Sequence, residues 1–288
     1  LDTLLGSAPA LDTPTRIYQR LIADDPEEAS EIAIEEIEHS SLVQFYDQTG
    51  LAVLKLASED YERNATAEHR LRVANGMDET LDNLREEYPS EVDLSSPARV
   101  FCIGGKWEID TVSCEMLAHV LQRDGIAAEQ HLVAGTSVRD VEKLDLNQVD
   151  VVFLAYFHQS PLLTARHICK KIRAAHPNIK IVIGLWNMQR LPDKELLEKL
   201  GVDAVVTTIA EATARIHLLL ETEQANAALN PPKPEEDDKR LSILRESKIL
   251  TGYAREELDS LAKRAVDVFN VGFAVISAID EEQEFIIG

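Results

Sequence analysis

The sequence predicts an α/β protein in which an N-terminal helical bundle precedes a Rossmann-like, doubly wound parallel sheet of five strands. Three observations lead to this prediction. Amphipathic helical patterns fill about the first ninety residues, short apolar runs then alternate with helical patterns, and a proline-rich acidic stretch separates this part from a shorter C-terminal segment. The apolar runs are continuous, which is typical of strands buried on both faces.

The helical bundle is predicted over residues 1–95. Asp25-Pro26-Glu27-Glu28 combines a capping aspartate, a proline suited to the first helical position and a glutamate that can close a capping box. Apolar residues at helical spacing then fill Ile32–Ile37, Leu42–Ala57 and a stretch from about Thr66 to Glu87. The short connections between these patterns predict a bundle of neighbouring helices.

The Rossmann-like domain is predicted over residues 97–223. Four apolar runs indicate buried strands, and they are Val100–Ile103, Val151–Ala155, Ile181–Gly184 and Ala204–Val206. Helical patterns lie between the runs, and Gly125 stands where a helix would end. Alternating strands and helices predict a parallel sheet covered by helices on both faces.

The C-terminal part is predicted to be incomplete as a domain. Residues 224–238 include Asn230-Pro231-Pro232-Lys233-Pro234 and a run of acids, which indicate a linker. Residues 239–288 then predict two helices and a hairpin formed by Gly272–Ile279 and Phe285–Ile287. One hairpin with two helices is too little for an independent α+β domain.

Composition excludes several classes of partner. The chain carries 51 acidic and 29 basic residues and a net charge of −22, so it should repel nucleic acid and anionic membranes. The longest apolar runs are far shorter than the roughly 20 residues that cross a bilayer. The three cysteines form no CxxC pair and fit a reducing, cytoplasmic location. The chain begins at Leu1, and we expect further polypeptide to precede it.

The carboxyl ends of the predicted strands are the expected ligand site, because open parallel sheets bind ligands there. The residues that this rule nominates are Gly104, Gly105, Lys106, Trp107, Glu108, Tyr156, His158, Ser160, Trp186, Asn187 and Thr207. Both tryptophans could hold a flat ligand, or they could pack between the bundle and the sheet. The pattern predicts neither a catalytic residue nor a metal ligand, and His119 is interpreted as a solvated or helix-end group.

A resemblance to cobalamin-binding modules extends over roughly residues 14–222. Tyr61-Glu62-Arg63-Asn64 and Glu68-His69 resemble the Trp-x-x-Gly and Glu-His pattern of the helical cap, while Gly184–Ala204 looks like the last strand, helix and strand. The resemblance implies a ligand between cap and sheet and adds Tyr61 and His69 to the candidates. The family's Asp-x-His-x-x-Gly motif, whose histidine ligates cobalt, is replaced by Gly104–Asp110. Cobalamin is therefore one alternative, and the ligand stays open.

Two further resemblances concern the chain's context. Four stretches are similar to the soluble C-terminal region of bacterial permeases of the autoinducer-2-exporter type, and they are Leu4–Gly6, Pro14–Leu21, Asp24–Ala29 and Val182–Trp186. Arg240–Leu244 and Gly272–Asp280 resemble the opening of a GAF domain. Together they imply a soluble signalling part of a larger membrane protein.

Three functions follow as hypotheses. The first is a sensory or regulatory module without enzymatic activity, binding a small molecule or a partner between the cap and the sheet. The second is a cobalamin sensor that lacks the cobalt-ligating histidine. The third is an enzyme acting on a nucleotide or a small metabolite in the same cleft. We also expect a homodimer, because bundles and GAF helices commonly pair.

Overall fold

The computed structural model describes residues 11–62, 67–92, 97–131, 144–158, 161–188, 194–229, 237–247, 249, 255–269, 274, 276–279 and 284–286. The chain divides into two compact units, Leu1–Gln224 and Ala225–Gly288. In the described part of the chain, no helix is long and apolar enough to cross a membrane.

The first unit begins with a cap of helices. They are α1 (Thr13–Ile22), α2 (Pro26–Glu38), α3 (Leu42–Phe45), a π-helical turn (Tyr46–Gly50), α4 (Leu51–Glu62) and α5 (Ala67–Glu87). The predicted start of α2 is confirmed, because the Asp25 carboxylate accepts a hydrogen bond from the Glu28 N–H at 3.2 Å and Pro26 occupies the first helical turn. Asp12 caps α1 in the same way.

The cap leads into alternating strands and helices. They are β1 (Val100–Gly104), α6 (Glu108–Arg123), β2 (Ala128–His131), β3 (Val151–Tyr156), α7 (Leu162–Ala175), β4 (Lys180–Leu185), α8 (Lys194–Leu200), β5 (Ala204–Val206) and α9 (Ile209–Leu229). The five strands are all parallel in the order β2-β1-β3-β4-β5. The predicted α/β class, a helical cap with a five-stranded Rossmann-like sheet, is confirmed.

The two faces of the sheet have separate cores. On one face, side chains such as Phe153, Val182 and Trp186 join the cap, α6 and α9 in a continuous apolar cluster. On the other, Leu154 and Ile183 pack with α7. Every residue of β1 and β3 is buried, and so is every residue of β4 after Lys180. Uninterrupted apolar sequences are typical of strands covered on both faces.

The second unit contains α10 (Asp237–Glu246), α11 (Arg255–Phe269) and the strands β6 (Ser277–Ile279) and β7 (Glu284–Ile286). β6 and β7 pair as an antiparallel hairpin in which Ser277 lies opposite Ile286. Helix α9 continues to Leu229, so the helix extends into the stretch predicted as a linker.

Candidate functional site

The sheet has a topological switch point between β1 and β3. These strands are neighbours at the centre of the sheet, but the chain leaves β1 toward β2 and leaves β3 toward β4. The helices that follow them, α6 and α7, belong to the cores on opposite faces. We call the position between the loops after β1 and β3 the crevice, because open α/β sheets bind their ligands at this position.

Asp110 holds the two loops of this crevice together. Its Oδ2 accepts hydrogen bonds from the N–H groups of Lys106 and Trp107, at 2.7 and 2.8 Å, and its Oδ1 accepts one from the N–H of Phe157 at 2.7 Å. The side chain is fully buried. Burial raises its pKa to about 6, against the opposing effect of the three N–H donors, so the carboxyl is ionised at neutral pH.

Close packing explains the two glycines of the first loop. A Cβ on Gly104 would lie 2.7 Å from the Thr111 backbone nitrogen, and one on Gly105 would overlap the Tyr156 ring and lie 2.7 Å from the Ala155 carbonyl oxygen. Contacts of this kind exclude any side chain. Gly104 and Gly105 thus bring the loop against α6 and β3.

Tyr156 lies at the carboxyl end of β3 with an unusual environment for its hydroxyl. The side chain is buried, and its Oη has no hydrogen-bond partner among the described residues. Burial raises the pKa of Tyr156 well above its usual range. Tyr156 is therefore a neutral phenol in the core between the sheet and α7.

The cap and the sheet domain meet above the crevice in one cluster of side chains. This arginine–aromatic cluster consists of Tyr61, Arg70, Trp107, Glu108 and His158. The Trp107 ring packs edge-on against Tyr61 and His158, with centroids 5.5 and 5.3 Å apart. The Arg70 guanidinium carbon lies 4.2 Å from the Tyr61 ring centroid and 5.1 Å from that of Trp107. Such distances permit cation–π attraction to both rings.

Arg70 is the most unusual member of the cluster. Its side chain is only 9% exposed, whereas that of its ion-pair partner Glu108 is 47% exposed. Arg70 Nε donates to Glu108 Oε2 at 2.9 Å, but the buried Nη1 has no partner in the described part of the chain. Burial raises the pKa of Glu108, yet its own backbone N–H and Arg70 outweigh that effect and the pKa is lowered.

Trp186 is a core residue and not part of this cluster. It is buried, its Nε1 donates to Ser113 Oγ at 2.8 Å, and its ring packs near Phe153 and Phe157. Gly184 leaves room for the ring, since a Cβ there would lie 2.7 Å from it. Of the two interpretations given to the tryptophans, packing describes both, because Trp107 is also buried in the apolar cluster and contacts Tyr61 of the cap and His158 of the sheet domain.

Of the remaining candidates, Asn187 and Thr207 follow β4 and β5 at the carboxyl edge of the sheet. Asn187 connects sheet and cap, because its Nδ2 donates to Ser58 Oγ on α4 at 3.0 Å and to the Phe157 carbonyl at 2.7 Å. The backbone N–H and the hydroxyl of Thr207 both donate hydrogen bonds to the Glu211 carboxylate at the start of α9. Lys106 is exposed and His69 is partly buried on α5. Ser160, with Arg63 and Asn64 of the cap pattern, lies outside the described residues.

His119 corrects a sequence-based interpretation, because it is buried and not solvated. Its Nε2 lies 2.8 Å from the Tyr88 carbonyl oxygen and must carry the proton, so Nδ1 accepts the Tyr46 hydroxyl at 2.8 Å. Burial lowers the pKa of His119, which keeps the ring neutral. The ring is a polar connection between the cap and α6.

Two carboxylates add further polar contacts between the cap and the sheet domain. Asp47, in the π-helical turn, accepts hydrogen bonds from the N–H groups of Ile209 and Ala210 and so caps α9. Glu115 on α6 lies 3.5 Å from Arg85 on α5. Burial, and then the nearby Asp78 carboxyl, raise the pKa of Glu115 to about 8, although Arg85 opposes them.

Comparison with solved structures shows what this fold is similar to. The monomethylamine corrinoid protein of Methanosarcina barkeri matches with a TM-score of 0.51 and 12% identity, over 71% of this chain and 96% of that one. A cobalamin-binding protein from Desulfitobacterium hafniense DCB-2 gives a TM-score of 0.35 at 11% identity, over 72% and 98% of the chains. The methanol:cobalamin methyltransferase complex of Methanosarcina barkeri gives 0.34 at 9% identity, over 74% and 81%.

No family model and no curated protein matches the chain by sequence. The similarity to the monomethylamine corrinoid protein is one of fold, at an identity of 12%. A cap of helices followed by a five-stranded parallel sheet is thus an arrangement that this chain shares with a corrinoid protein.

Proposed function

We propose that the first unit is a small-molecule-binding module that holds its ligand between the cap and the carboxyl ends of β1 and β3. One observation carries the proposal. The cap supplies Tyr61 and Arg70, the sheet domain supplies Trp107, Glu108 and His158, and the five side chains converge above the switch point.

The chemistry of the cluster favours a flat organic ligand. Aromatic rings offer large apolar faces, and a partly desolvated guanidinium fixes the orientation of a polar group. Tyr61 is 38% exposed and covers Arg70 from the solvent side. A ligand that displaced Tyr61 would change the packing of α4 against Trp107. A ligand that binds one of these two packings more tightly shifts the conformational equilibrium toward it.

We propose on this basis that the module has a sensory or regulatory role within a larger protein, as a homodimer in the cytoplasm. The polar contacts of Asp47, Tyr46 and Asn187 would transmit a change in the cap to α9, α6 and β4. Size-exclusion chromatography with light scattering on the full chain, with and without ligand, tests the oligomeric part, and a monomer in both conditions contradicts it.

A corrinoid is the second candidate, favoured by the fold shared with the monomethylamine corrinoid protein. The residues of the first loop do not fit a corrinoid whose cobalt is ligated from that loop. Trp107 is packed between two rings there, and Asp110 is engaged by three N–H groups. A corrinoid would have to bind through its macrocycle and side groups instead.

A ligand screen on the full chain tests both candidates. Thermal unfolding is followed with cobalamins, adenosine, adenosine monophosphate, benzoate and benzamide, together with an absorption spectrum after dialysis. A true ligand raises the midpoint with concentration, because it binds only the native state. Tyr61→Ala should weaken that ligand about tenfold or more, equivalent to about 1.4 kcal/mol. Leu71→Ala, an exposed change on α5, is the matched control.

The outcomes separate the candidates. A retained corrin spectrum that depends on Tyr61 supports the corrinoid, and a colourless protein stabilised by another member of the panel supports the general proposal. If no compound raises the midpoint, the cluster is a structural contact between cap and sheet, and the proposed function is wrong.

A further inference from the structure

We infer that the ligand carries a carboxylate or phosphate group that binds the Arg70 guanidinium between Tyr61 and Trp107. The inference rests on the proposed function, since it names the chemical class of ligand that the arginine–aromatic cluster would take. The ligand is thus an organic acid with a flat ring.

The first argument is that Arg70 is buried without enough partners. Arginine is seldom buried unless its charge is paired and its donors are bonded. Here one nitrogen, Nε, meets a half-exposed carboxylate, while Nη1 is buried and unpartnered in the residues described. Leaving a buried donor unsatisfied costs about 1–3 kcal/mol. A ligand group that accepts a hydrogen bond from Nη1 would remove that cost.

The second argument concerns the geometry of the guanidinium donors. Arginine presents its donors in a planar fork that matches the two oxygens of a carboxylate or phosphate. Glu108 occupies the fork at Nε, and Nη1 belongs to the terminal edge. An acid on the ligand can bind that edge while Glu108 remains in place.

The third argument is that the neighbouring carboxylates leave room for a further negative group. Asp110 is engaged by three backbone N–H groups, and its charge is therefore compensated locally. The side chain of Glu108 is about half exposed, so solvent screens its charge from a ligand acid at the terminal edge of the guanidinium. The chain's net charge of −22 opposes anions at long range, but salt screens such repulsion beyond about 10 Å.

Paired probes test the inference. Benzoate is compared with benzamide, and adenosine monophosphate with adenosine, at constant ionic strength, and dissociation constants are measured by tryptophan fluorescence of the full chain. We expect an acid to bind at least about tenfold more tightly than its uncharged counterpart. The pair that shows the larger ratio identifies the carboxylate or the phosphate as the preferred group.

Arg70→Met is the decisive variant, and Arg72→Met, an exposed change on the same helix, is its control. Arg70→Met should abolish the preference for the acid. It should leave the thermal midpoint of the unliganded protein unchanged or higher, since an apolar side chain replaces an incompletely paired buried cation. Glu108→Gln removes a negative charge beside the guanidinium, so it should strengthen acid binding several-fold.

The contrary results are distinct. If benzamide and adenosine bind as tightly as their acids, and Arg70→Met changes neither, the inference fails while the proposed function stands. If Arg70→Met lowers the midpoint by about 5 °C or more and the wild type shows no acid preference, Arg70 is structural and the inference fails. If no probe binds and no cobalamin binds, both proposals fail.

Discussion

Glu115 lies at the contact between the cap and the sheet domain, and its ionisation should lower the free energy of unfolding. The energetics of this contact can therefore be tested by varying the pH. The folded-state pKa is about 8, against an ordinary value of 4.5. Between these values the folded chain holds a proton that the unfolded chain releases, so the free energy of unfolding falls as pH rises through this window. Each pH unit corresponds to at most about 1.4 kcal/mol.

Glu115→Gln removes this dependence, because the amide does not titrate. The Glu115 side chain is 12% exposed and lies beside Arg85. Its residual solvation and the charge of Arg85 both reduce the gain in stability expected from the substitution. We expect the variant to be about 2 kcal/mol more stable than the wild type near pH 8 and equal to it near pH 5. Urea denaturation followed by tryptophan fluorescence measures this, since Trp107 and Trp186 both lie in the first unit.

The control is Glu79→Gln, an exposed carboxylate on α5, which should leave the difference between the two pH values unchanged. Asp110, His119 and the other titrating groups are the same in every variant, so their contributions to the pH dependence of the free energy of unfolding cancel in the comparison with the wild type. A Glu115→Gln protein that is less stable than the wild type near pH 8 would refute the reasoning. It would mean that the ionised carboxylate, paired with Arg85, is the form that stabilises the fold.

Three further changes have definite expected outcomes. Asp110→Ala leaves three N–H groups, two of them buried, without an acceptor and should cost about 3 kcal/mol or more in urea denaturation, with Trp107 fluorescence shifted to the red. Asp47→Ala uncaps α9 and should cost about 1–2 kcal/mol, of which Asp47→Asn should recover part; an unchanged denaturation midpoint would contradict this cap. Gly184→Ala places a Cβ 2.7 Å from the Trp186 ring and should cost about 1–3 kcal/mol, and a wild-type stability would mean that the ring can move aside.

The sequence predicted the strands that are buried on both faces, because an uninterrupted apolar run has no other stable place in a parallel sheet. It did not predict β2. Ala128–His131 is an edge strand with one buried residue, and its polar sequence resembles a loop. The strand forms because it pairs with β1, and the sequence of these four residues alone does not reveal that pairing.

The site was predicted where it depends on sequence position and missed where it depends on packing. Trp107, Glu108 and His158 follow strands directly, so the rule for open sheets located them. Arg70 lies on an amphipathic helix, where an arginine normally faces water, and its contacts with Tyr61 and Trp107 are visible only in the folded chain. Asp110 gives a weak signal, an acid in the first turn of a helix, which indicates capping and not a contact to Phe157.

The packing of the first loop also limits how this chain could acquire a cobalt ligand. With the Asp-x-His-x-x-Gly motif placed so that its histidine falls at Trp107, its aspartate falls at Gly105 and its glycine at Asp110. An aspartate at 105 would overlap the Tyr156 ring, and a glycine at 110 would strip three N–H groups of their acceptor. The changes at Gly105 and Asp110 would therefore each weaken the fold before any metal is gained. An evolutionary or engineered path to the motif would have to make room beside residue 105 both at the Tyr156 ring and at the Ala155 carbonyl oxygen.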